Sequence, residues 1–149
     1  MCGKTLDNIA YILYNASKAE LSKGGEVVPK FQTIFFVREN GEAPAEDFIN
    51  SLDDKMSAKV YRLIAMVSEN GPELREPYSK HLEDGIFELR AKFGTNITRV
   101  LYFFMVGRRI VITNGFVKKT NKTPRSEIET AKAYRKEHIK KEASNNEDF

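Results

Sequence analysis

Three strand-like runs follow one another closely along the chain: GIFELRAKF (85–93), NITRVLYFFMV (96–106) and RRIVITNGFV (108–117). Only Gly94-Thr95 and Gly107 separate them. A parallel crossover needs a dozen residues or more, so connections this short force consecutive antiparallel hairpins. The runs are rich in aromatic and β-branched residues, which suit a pleated, at least half-buried surface. In the first run Phe87, Leu89, Ala91 and Phe93 alternate with Glu88, Arg90 and Lys92. The alternation predicts one core face and one charged face.

The flanking segments supply the other elements. FQTIFFVR (31–38) predicts an earlier strand, ended at the turn-like ENGE. Pro44 suits the first position of a helix running to about Leu52. Met56, Val60, Leu63, Ile64 and Val67 form the apolar stripe of a second helix, closed by Asn70-Gly71-Pro72. PELREPYSKHLED (72–84) reads as irregular. Thr123-Pro124 predicts an N-cap and first helical residue for RSEIETAKAYRKEHIKKE (125–142). The expected order over 31–143 is β-α-α-β-β-β-α: an α+β domain with a twisted antiparallel sheet and two helices packed on one face. Leu6, Ile9, Ala10, Leu13 and Ala16 predict an extra N-terminal helix, and LSKGGEVVPK a linker, so residues 1–30 form an extension. Residues 144–149 are expected to be a disordered tail.

Composition narrows the functional classes. At 149 residues, 41% hydrophobic and 30% charged, the chain predicts one soluble domain. No apolar run approaches the roughly 20 residues that span a bilayer, which excludes a membrane helix. The start MCGKTLDNIAYIL lacks the pattern of a signal peptide. Cys2 is alone, and with two histidines it cannot complete a usual four-ligand zinc site, which together predict a reducing, intracellular setting. Charge is uneven: residues 1–74 hold 8 Lys+Arg against 11 Asp+Glu, and residues 75–143 hold 16 against 8. A basic second half favours a polyanionic partner.

The candidate chemistry lies in that half. Arg99 opens an otherwise apolar strand, so its guanidinium is either tied to a carboxylate such as Glu88 or held out at the sheet edge for an anion. If the last two strands pair as a hairpin, Lys118 and Lys119 return close to Arg99. Lys122 and Arg125 then stand at a helix N-terminus, where free N–H groups also favour an anion. His81, on the loop before the ELR strand, is a further acid-base candidate. His138 sits in the charged outer half of the last helix and reads as inert. The aromatic groups Phe87, Phe93, Tyr102, Phe103 and Phe104 suit either base stacking or a core.

KHLEDGIFELRAKFGTNITRVLYFF followed by IVITNGFVKKTNKTPRSEIETAKAYR resembles the HigB-like branch of the RelE/ParE toxin superfamily, over residues 31–140. The resemblance implies a RelE-like fold and a cytoplasmic toxin of a bacterial type II toxin-antitoxin pair. Such a toxin enters the ribosome, cleaves messenger RNA there without metal or cofactor, and is silenced by a cognate antitoxin. Carried onto this chain, Arg90, Arg99 and Lys119 are the expected catalytic residues, and Lys119 beside Lys118 is the candidate base. Lys80, His81, Lys92, Lys118, Lys122 and Arg125 are the expected RNA- and phosphate-binding residues. Tyr134 is too far inside the helix to take the proton-transfer role that a tyrosine or histidine fills in some members. Two other readings share the fold: a toxin that blocks DNA gyrase, and a module that binds nucleic acid or an antitoxin without turnover.

Overall fold

A computed structural model describes residues 30–147. The helix and linker expected over residues 1–30 fall outside the described residues except for Lys30, as does Cys2. The described part is a mixed α+β structure with one five-stranded sheet and three helices. In chain order these are β1 (Gln32–Phe35), α1 (Pro44–Ser51), α2 (Asp54–Asn70), a 3₁₀ turn (Gly71–Glu73), β2 (Ser79–Glu83), β3 (Ile86–Phe93), β4 (Asn96–Met105), β5 (Arg109–Val117) and α3 (Arg125–Glu147). α3 thus continues beyond residue 143, where the domain was expected to end.

The helices form for local reasons. Pro44 opens α1, and Glu46 and Asp47 place negative charge in its first turn, where the helix dipole favours it. Asp53 caps α2 by accepting from the Met56 N–H at 2.8 Å. Gly71 ends α2 at φ 54°, and a Cβ there would meet the Phe31 ring at 2.2 Å, so neither the backbone nor the space tolerates a larger residue.

The sheet order is β1-β5-β4-β3-β2. The three predicted runs form the expected hairpins, β3 with β4 and β4 with β5. Two features differ from expectation. The sheet is mixed rather than antiparallel, because β1 lies parallel to β5 at the edge. No tight hairpin joins β1 to its neighbour, so turn geometry does not dictate its direction. The segment read as irregular also contains β2, which pairs antiparallel with β3 and makes the sheet five-stranded. The signal was present: Asp84 and Gly85 both have positive φ, 49° and 78°, and Asp-Gly between strands favours a two-residue hairpin turn.

Both faces of the sheet are covered, unequally. α1 and α2 bury one face, with Ile49, Val60 and Ile64 against Leu89, Val100, Tyr102 and Ile112. This cluster takes up Phe87 and Phe104, and Phe103 joins the opposite one, so these rings are core rather than base platforms. On the other face α3 lays Ala131 and Tyr134 over Phe36, Ile86, Leu101, Phe103 and Val111. Tyr134 stacks on Phe36 with ring centroids 4.7 Å apart.

Candidate phosphate-binding site

The face under α3 changes character along β3 and β4. Ile86, Leu101 and Phe103 are apolar and buried in the α3 cluster. Two to four positions away on the same face stand Glu88 and Arg90 of β3 and Arg99 of β4. Arg90 and Arg99 are direct cross-strand partners. Like charges placed opposite one another repel, so the pairing needs a counter-charge.

Glu88 provides it. Glu88 is only 1% exposed, and its Oε1 stands 3.1 Å from Arg90 Nε and 3.7 Å from Arg99 Nε. Its other oxygen accepts from the Thr123 hydroxyl at 2.5 Å. A buried carboxylate is tolerated when it is paired and hydrogen-bonded, and Glu88 meets both conditions. One carboxylate, however, serves two guanidiniums, so the cluster keeps an excess of positive charge. Arg99 itself is 8% exposed and donates from Nη1 to the Thr98 carbonyl, while its Nε finds no hydrogen-bond acceptor among the described residues. Burial pushes its guanidinium down from the usual arginine range, opposed by Glu88 and reinforced by Arg90.

β5 delivers the next cation through an irregularity. Tyr102 pairs with Ile112 and Leu101 with Asn114, so Thr113 is an extra residue bulged out of the ladder, and its hydroxyl donates to the Leu101 carbonyl. The bulge reverses the alternation beyond it: Val111 and Phe116, five residues apart, share the α3 face. Lys118, two residues after Phe116, therefore falls on that face, whereas strict alternation from Val111 would have placed Lys119 there. The Lys118 N–H continues the ladder to the Ile97 carbonyl at 2.8 Å. Burial, with Arg99, Arg90 and Lys80 as neighbours, holds its amine below the usual lysine value against the pull of Glu88.

These groups line an open pocket of about 290 Å³, with Lys80, His81, Arg90, Lys118 and Lys122 around Glu88. Of the residues expected from the sequence, Arg90, Lys80, His81, Lys118 and Lys122 thus come together. Arg99 is not among the lining residues and reaches the pocket through Glu88. Lys119 is exposed and does not line the pocket. Lys92 lines an adjoining pocket. Arg125 is turned away: both its Nη atoms bind the Glu83 carboxylate, and Nη2 also binds Glu129 at 2.5 Å. His81 lies on strand β2 rather than on a loop. Its Nε2 accepts the Gly85 N–H at 3.1 Å, so the neutral ring carries its proton on Nδ1. His138 pairs with Glu142, whose carboxylate also binds Arg109, well along α3 from the pocket.

Thr123 does not cap α3 with its side chain, as the Thr-Pro pair suggested. The helix begins at Arg125, the Pro124 carbonyl accepts from the Glu127 N–H at 3.1 Å, and the Thr123 hydroxyl is given to Glu88. Thr123 was missed as a site residue because its partner lies 35 positions away.

Residues 47–136, from within α1 to within α3, match the family described as Phage derived protein Gp49-like (DUF891), and the chain belongs to that family, which is related to RelE and toxin-like proteins. No curated protein matches the chain. The matched segment contains every described residue of the pocket.

Proposed function

We propose that this Gp49-like protein is a HigB-like toxin of a type II toxin-antitoxin pair, an endoribonuclease that cleaves messenger RNA on the ribosome and is held inactive by a cognate antitoxin. The observation that carries the reading is the buried Glu88 shared by Arg90 and Arg99, with Lys118, Lys80 and Lys122 around the pocket above it. Cations gathered around a single internal carboxylate retain net positive charge for one phosphodiester. A cluster meant only to be stable would match its charges.

The chemistry uses the substrate's own nucleophile. Lys118, its amine depressed towards the neutral form, accepts the proton of a ribose 2′-hydroxyl. The 2′-oxygen forms a bond to the adjacent phosphorus and the bond from phosphorus to the 5′-oxygen breaks, leaving a 2′,3′-cyclic phosphate. The 5′-oxygen takes a proton from the ammonium group of Lys80 or Lys122, which line the same pocket. Arg90, held by Glu88, stabilises the charge that develops on the phosphorane oxygens, and Arg99 on the same carboxylate adds to the field.

Cleavage of a message on purified ribosomes tests this, with the product ends read as cyclic phosphate and 5′-hydroxyl. Arg90→Ala is expected to slow cleavage on the order of 10²–10³-fold while the protein stays folded. A folded Arg90→Ala, Lys118→Met double variant that still arrests growth overturns it, as does arrest with intact messages and damaged DNA.

A further inference from the structure

Beside the pocket, on the far side of Arg90, is a second and larger hollow of about 430 Å³, and nothing in the cleavage chemistry uses it. Its walls are Lys59 and Arg62 of α2, Lys92 of β3 and Arg90 itself, with Met66 and Tyr78 between them. Among the described residues no carboxylate lines it. Tyr78 leaves 44% of its surface exposed, unlike Tyr102, which is buried in the core. Its backbone is nonetheless fixed, because the Arg90 N–H donates to the Tyr78 carbonyl at 2.8 Å. The residues that bring an aromatic ring and a guanidinium to the hollow are therefore joined by a main-chain bond. Lys59 donates to the Lys92 carbonyl, which anchors α2 to the end of β3 and brings its cations to the rim.

We infer that this hollow is a flanking-nucleotide subsite for single-stranded RNA, in which a base stacks on Tyr78 while the next phosphate along the strand meets Lys92 and Arg62. Single-stranded nucleic acid is bound where cations track the backbone and an exposed ring offers a stacking platform, and the hollow has both. Arg90 borders both depressions, the first on the α3 face and the second on the α2 side of β3, so a strand whose scissile phosphate lies at Arg90 reaches the second by passing that side chain. Stacking tolerates any base, so the subsite contributes affinity and register rather than sequence choice. The inference rests on the reading of the first pocket as a phosphodiester site, and it does not depend on turnover there.

Fluorescence anisotropy with two labelled RNAs separates the two claims. One is a dinucleotide and the other a hexanucleotide, both 2′-O-methylated to block cleavage, added to the full chain at low salt. Tyr78→Ala should weaken hexanucleotide binding on the order of tenfold and leave the dinucleotide unchanged, with Tyr78→Phe close to wild type. The double variant Arg62→Gln, Lys92→Gln, which spares the backbone around Tyr78, should also weaken only the longer RNA and flatten its salt dependence. Equal binding of the hexanucleotide by wild type, Tyr78→Ala and the double variant overturns the subsite and leaves the first pocket standing. Failure of wild type to bind either RNA overturns both. An acidic peptide that displaces the hexanucleotide from wild type but not from the double variant, without any effect of Tyr78→Ala, assigns the hollow to a protein partner and overturns the RNA subsite.

Discussion

Two groups of charged side chains flank the start of α3, and their bookkeeping differs. In the outer group, Arg125 and Lys132 of α3 bind Glu83, Asp84 and Glu129, and Arg135 donates to the Asp84 carbonyl, so three carboxylates serve three cations. In the inner group, Arg90 and Arg99 divide one carboxylate, and Lys80, Lys118 and Lys122 face the same pocket with no ion pair among the described residues. The outer group fastens α3 to the β2–β3 turn. The inner one leaves charge unspent at a concave surface, which an incoming phosphate satisfies. Counting basic residues would not separate the two, since Arg125 and Lys118 lie seven positions apart in one basic stretch. The number of carboxylates each cation can reach does separate them.

The contrast is sharpest at the lysine pair. Lys118→Met should cost on the order of 10²-fold or more in single-turnover cleavage, as expected when a general base is lost, whereas Lys119→Met should stay within about threefold. Because the amine works deprotonated, wild-type cleavage should fall as pH drops through the depressed Lys118 value and flatten above it. Equal losses in the two variants, or a flat profile, would break the distinction. Next in size is Glu88→Gln. It leaves two guanidiniums without a counter-charge in a nearly buried place, and should destabilise the fold by about 3 kcal/mol in urea unfolding. Added inorganic phosphate should recover more of that loss than it adds to wild type.

The smallest effect belongs to the outer group. Arg125 and then Lys132 pull the Glu83 carboxyl from its usual 4.5 down to about 2. A carboxyl lowered on folding contributes stability that is present above its unfolded value and lost as pH falls towards the folded one. The melting temperature of Glu83→Gln should therefore lie slightly below wild type at pH 6, and the gap should close between about 4.5 and about 2. RNA binding should not change. Glu83→Gln matching Glu88→Gln in either stability or binding would show that the two groups are built alike.

What the sequence determined by itself was the local part: the β3–β4 and β4–β5 hairpins, the α1 start at Pro44, the apolar stripe of α2 and the basic character of the second half. Each follows from residues a few positions apart, because short connections, caps and helical spacing act over that range. β2 was also legible through Asp84-Gly85, although the composition around that pair reads as irregular. Arg90 and Glu88 could be put on one face by alternation alone, and the pairing of Arg99 with a carboxylate was one of two open readings.

Tertiary structure decided the rest. The bulge at Thr113 is one extra residue, yet it reverses which side of the sheet every later β5 residue occupies, and so it selects Lys118 over Lys119. Thr123 reached Glu88 instead of its own helix, and Arg125 went to Glu83, because those carboxylates were brought within hydrogen-bond distance by strands 35 and 42 positions earlier. The parallel placement of β1 was equally invisible, since no local turn sets it. A charge's role depends on how many opposite charges it can touch after folding, and in a sheet those neighbours are set by register across strands rather than by order along the chain.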